Sequence, residues 1–174
     1  MSVWMRCWHP EGRVRENNEM YRSPIIGIAP VRRYAEKMEY FVGSHVVREE
    51  GDIAVLIFNG NITAEDMQGM FSIFQKMIER HGRYGTLVNA YRMGWVTPGA
   101  RQVIGQWPLT SLSFGTSVFG AGLATHAVMT LIIRALQLVG RGPLALEFFK
   151  TQADAQAWIT ARSRQAAAAQ QARV

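Results

Sequence analysis

The sequence predicts an α/β fold: a small mixed sheet of four to five strands with helices packed mainly on one side. Two observations carry this. Between Ile53 and Trp107, strand-like and helix-like stretches alternate with almost no spacer, the pattern of one sheet backed by helices. Within that stretch, Ile53–Gly60 (IAVLIFNG) opens with six apolar residues in succession, which marks a strand covered on both faces and therefore central.

Taken in order, residues 1–36 read as a partly ordered N-terminal arm, because Pro10, Gly12, Pro24, Gly27 and Pro30 interrupt any periodicity. Trp4, Trp8 and the patch Ile25, Ile26 and Ile28 are costly to leave in water, so part of the arm is expected to dock. A domain over 37–161 follows. Its first strand is expected at Glu39–Arg48, with a turn at Gly51 and Asp52. After the central strand, Thr63 is placed to cap a helix, with Asp66 three residues on as the short form of a capping box. Met67, Met70, Phe71, Phe74, Met77 and Ile78 recur at helical spacing, and Gly82 is the expected stop.

A short buried strand is expected at Thr86–Ala90, then a loop over Tyr91–Val96. Thr97 and Pro98 begin a second helix as hydroxyl cap and first-turn proline, with Ala100, Val103, Ile104 and Trp107 inward and Pro108 ending it. Further strands are expected at Ser117–Gly120 and Leu144–Phe149, and a last helix begins near Gln152. Residues 162–174 are Ala-rich, without a large apolar residue before Val174, and should extend that helix and fray.

Composition narrows the function. The chain has 174 residues, 48% of them apolar, one cysteine (Cys7) and a formal charge of +6. One substantial core can be buried. A lone cysteine excludes an internal disulfide framework, and the charged opening lacks the unbroken apolar run of an export signal, so a cytoplasmic protein is expected. The arginines are diluted by Glu11, Glu16, Glu19, Glu36 and Glu39 rather than forming a basic stripe, which argues against nucleic acid as a partner. His9, His45, His81 and His126 stand in different elements without metal-ligand spacing. No phosphate loop, nucleophile elbow or acid/base pair is present, so no catalytic, cofactor-binding or metal-binding residue is assigned.

Leu123–Val139 (LATHAVMTLIIRALQLV) is apolar around most of a helix, with His126, Thr130, Arg134 and Gln137 on one line. A helix on a sheet needs an apolar face of roughly 100°, and this one has more. Met129, Ile132, Ile133 and Leu136 therefore call for cover: by a second copy or the arm, by another protein, or by an apolar ligand or lipid surface. His126 and Arg134 lie too deep in the run for a membrane span.

The strand IAVLIFNG, the Thr63-Ala64-Glu65-Asp66 helix start, the strand Thr86–Ala90, the run Trp95-Val96-Thr97-Pro98-Gly99-Ala100 and the ending Glu147-Phe148-Phe149 through Ala155–Trp158 together resemble the SpoIIAA-like branch of the STAS superfamily, over about residues 40–160. That resemblance implies a bacterial regulatory domain with no cofactor and no turnover. In the anti-sigma-factor antagonists of the group, a Ser or Thr at the start of the second helix is phosphorylated. The matching position is Thr97, although Val96-Thr97-Pro98-Gly99 departs from the Asp-Ser-Ser-Gly-like run seen there. The functional expectation is a non-enzymatic regulatory or scaffold module that binds a protein partner or itself as a homodimer. Its surface includes Trp95, Met129, Ile132, Ile133 and Leu136, with Thr97 either an ordinary helix cap or, as the resemblance implies, a phospho-switch. The alternative is a carrier or sensor of an apolar small molecule or lipid under the 123–139 helix.

Overall fold

A computed structural model describes residues 28–34, 37–138 and 145–172, with side chains from Met38 onward except at Leu136. Seven strands form one sheet in sequential order: β1 (Ile28–Tyr34), β2 (Lys37–Val42), β3 (His45–Glu50), β4 (Ile53–Ile62), β5 (Tyr84–Val96), β6 (Ser113–Phe119) and β7 (Leu146–Phe149). Four helices accompany them: α1 (Ala64–His81), α2 (Pro98–Gln106), α3 (Leu123–Leu138) and α4 (Gln152–Gln171). The mixed sheet and α/β class are as expected; the strand count exceeds the four to five expected.

The first four strands are antiparallel and the rest parallel, with β4 at the junction. The run expected as one strand over Glu39–Arg48 is a hairpin. Gly43 adopts φ 58°, and Val42 pairs with His45 across the two-residue turn, the geometry a tight hairpin demands. Residues 28–34, within the expected arm, form edge strand β1 against β2; Trp4, Trp8, Ile25 and Ile26 lie outside the described residues.

Thr63 caps α1 as expected, with the full reciprocal box: the Thr63 hydroxyl accepts from the Asp66 amide, and Asp66 accepts from the Thr63 amide. Gly82 closes the helix at φ 72°. Steps from β4 to β5, β6 and β7 all advance in the same direction across the sheet, so right-handed crossovers place α1, α2 and α3 on one face. There they share a core with Leu56, Phe58, Val88 and Val118. α4 covers the opposite face, where Ala155 and Ile159 pack with Ile53, Val55, Leu87 and Phe114.

One further element differs from expectation. The segment Tyr91–Val96 is not a loop but the continuation of β5: Asn59, Gly60 and Ile62 pair with Arg92, Met93 and Val96, and the Asn61 side chain accepts from the Trp95 amide at 2.9 Å. As expected, the last helix extends into the Ala-rich tail, to Gln171, where polar contacts hold it to the sheet. Arg162 donates to the Phe114 carbonyl at 2.6 Å, the Ser163 hydroxyl donates to Asp52 at 2.7 Å, and Arg83 reaches Gln170.

Candidate functional site

Between the sheet and the three helices on its first face lies a cavity of about 160 Å³. Strand alternation supplies its floor. Leu56 and Phe58 on β4 and Tyr84, Thr86 and Val88 on β5 are spaced by two and point to the same side. α1 contributes Met67, Phe71 and Phe74 at intervals of four and three, one stripe of that helix. Ile104 and Trp107 close the α2 side, and Met129, Ile132 and Ile133 of α3 form the roof.

Aromatic stacking fixes the wall. The Trp107 ring lies on Phe71 with centroids 4.3 Å apart and 15° between planes, and Phe74 stacks on Tyr84 at 5.1 Å. One end of the cavity is polar. There Trp107 Nε1 donates to the Tyr84 hydroxyl at 3.1 Å, the Thr86 and Thr116 hydroxyls bond each other at 2.7 Å, and Thr110 donates to the Trp107 carbonyl at 2.7 Å. Burial raises the Tyr84 pKa to about 12, with hydrogen bonds from Trp107 and Ser113 acting against that rise. The phenol is therefore neutral at physiological pH.

The roof is thinly held. No described side chain of α3 is fully buried, whereas α1 buries Met67, Met70, Phe71, Ile73, Phe74 and Met77. The structure turns Met129, Ile132 and Ile133 inward to the cavity. Leu123, Leu131 and Leu138 are left on the outside, 94%, 68% and 88% exposed. The uncovered apolar face is thus not the one singled out from sequence. Leu136 has no described side chain, and Val139 lies outside the described residues.

Trp95 stands apart from the cavity, 53% exposed with the Arg101 guanidinium 5.1 Å from its ring centroid. It borders a shallow groove with Met93, Ala124 and Val128 beside the start of α3. Thr97 is a helix cap, its hydroxyl accepting from the Ala100 amide at 3.2 Å, and Pro98 supplies no amide to a phosphate.

Sequence reasoning missed the polar end of the cavity and the aromatic wall. The signal was present in Tyr84, Thr86, Ser113 and Thr116, hydroxyls set among strand residues that must be buried. Two other polar clusters are structural. Arg80 bonds the buried Glu49 at 2.7 Å, and Tyr40 bonds the same carboxylate at 3.3 Å; His45 accepts from the Asn59 amide on Nδ1 at 3.0 Å and faces Asp66 at 3.4 Å. Among the described residues, no three His, Cys, Asp or Glu residues are grouped to hold a metal ion, and no helix is long and apolar enough to cross a membrane.

The class defined by this topology is an α/β domain, a mixed sheet with its parallel crossovers on one face. Among solved structures the chain is similar to an uncharacterized protein of the DUF3478 family with a SpoIIAA-like fold from Shewanella loihica PV-4. The two share 16% identity over 76% of this chain and 93% of that one, with a TM-score of 0.45. No protein-family model and no curated protein matches the chain.

Proposed function

We propose that this protein is a non-enzymatic binding module of the cytoplasm that holds an apolar small molecule in the cavity beneath α3. The single observation behind this reading is the cavity itself: an apolar chamber roofed by a helix with no fully buried described side chain. Its size selects the ligand. A cavity of ~150 Å³ lined by Leu, Ile and Phe stays dry and accepts benzene, so about 160 Å³ fits a one-ring molecule or a short chain. Thermal unfolding with ethylbenzene tests the proposal. The melting temperature should rise with ligand concentration, as it must when a ligand binds only the native state. Ile132→Phe, which fills the chamber, should abolish the rise while the protein remains folded; no rise in the parent protein would overturn the reading.

A second reading, self-association, is favoured by the outer leucines Leu123, Leu131 and Leu138. No aspartate or glutamate occurs between Glu79 and Glu147, so a second copy offers Arg134 no carboxylate from this region. Contact between copies would rest on apolar burial, and salt would strengthen it by screening like charges. Sedimentation should then show a dimer that Leu131→Glu dissociates; a monomer at all salt concentrations would eliminate this reading. An acidic protein partner on the same face would instead be released by salt.

A further inference from the structure

We propose that the cavity ligand is a neutral molecule that carries a single hydrogen-bond acceptor, such as a carbonyl oxygen, on an otherwise apolar body, and that it binds with that acceptor at the Tyr84, Ser113 and Thr116 end. This rests on the cavity reading above and adds the chemistry of the ligand's head.

The hydroxyl inventory of the polar end carries the inference. Thr86 and Thr116 share one hydrogen bond, but two hydroxyls bring two hydrogens, so one hydrogen remains for another acceptor whichever of the two donates. The Tyr84 oxygen accepts from Trp107, and the phenol still has its own hydrogen to donate; Ser113 lines the same cavity with a further hydroxyl. The wall therefore keeps hydroxyl hydrogens to give, and a buried donor without an acceptor is tolerated less well than an unused lone pair. Thr110 spends its hydrogen on the Trp107 carbonyl and adds no acceptor demand.

Charge is excluded by the same wall. No Asp, Glu, Lys, Arg or His lines the cavity, and a carboxylate or ammonium buried without a counter-charge is strongly disfavoured. A purely apolar ligand fits by shape but leaves the surplus hydroxyl hydrogens facing carbon, a loss for buried polar groups. A neutral acceptor satisfies both conditions.

Isothermal titration of the full chain with three probes of nearly equal size, ethylbenzene, acetophenone and benzoate, tests this at neutral pH. Acetophenone should bind roughly tenfold tighter than ethylbenzene, the upper range for one added neutral hydrogen bond, and benzoate should give no measurable heat. Thr116→Val or Ser113→Ala should narrow the affinity ratio between acetophenone and ethylbenzene. Ethylbenzene binding as tightly as acetophenone, or benzoate binding as tightly as either, would overturn the head-group inference and leave the cavity reading intact. Binding by none of the three would overturn both. Should either variant fail to fold, the ratio measured on the parent protein decides.

Discussion

Burial holds the Tyr84 phenol at a pKa of about 12 against a reference of 10.0, and the linked effect on stability has a definite sign. Below pH 10 both folded and unfolded states keep the proton, and the stabilisation is fully present. Between about pH 10 and 12 the unfolded chain releases it while the folded one does not, so stability falls as pH rises through this window. Two pH units correspond to roughly 2–3 kcal/mol for this buried group. Tyr40, also raised, chiefly by burial, adds a drop of the same sign. Urea unfolding at pH 9 and pH 11.5 should show the drop, and Tyr84→Phe should remove its larger part. An unchanged drop in the variant would mean that Tyr84 ionises freely and is not enclosed as described. The variant also removes the acceptor for the Trp107 indole, so it should be less stable at pH 7 by about 1 kcal/mol.

At the level of elements, the end of β5 is the most exacting. A Cβ on Gly94 would lie 2.8 Å from the Gly60 carbonyl carbon, backbone that cannot move without opening the β4–β5 pairing. Gly94→Ala should therefore destabilise the protein by about 1–3 kcal/mol, whereas Gly105→Ala, where an added methyl meets open space, should be neutral or slightly stabilising because it sits within α2. Equal effects of the two substitutions would return Tyr91–Val96 to the loop expected from sequence. That segment was illegible because its pairing partner is the polar Asn59-Gly60-Asn61 run, which reads as a strand terminator; parallel backbone pairing leaves no local mark. The hairpin at Gly43 was hidden similarly, since apolar and β-branched residues flank it on both sides. Helix ends were legible because capping is local: Thr63 with Asp66, Gly82, and Thr97 with Pro98 each signal within four residues. The apolar helix was recognised, but which of its faces met the sheet was not. Both faces are rich in large aliphatics, and only the tertiary arrangement sets Met129, Ile132 and Ile133 inward.

Across the whole molecule, stability is unevenly distributed, and the cavity lies at its weak side. α1 is clamped by seven buried residues, a reciprocal cap and a left-handed glycine stop, while α3 has no fully buried described side chain and covers a space rather than a packed surface. Local opening draws on regions with few buried apolar contacts, so α3 should separate from the sheet without unfolding the rest. Native-state amide exchange should therefore find α1 and β4 exchanging only through global unfolding, and α3 exchanging roughly tenfold faster or more. A ligand in the chamber supplies the missing contacts to Met129, Ile132 and Ile133, and should slow exchange in α3. If opening α3 releases the ligand, saturating acetophenone should slow α3 by the same factor that it slows the globally exchanging α1, and by less if the ligand stays bound in the open form. If α3 is as protected as α1 before ligand is added, the helix is an integral part of the core. The cavity would then have no mobile roof, and entry would require a different route.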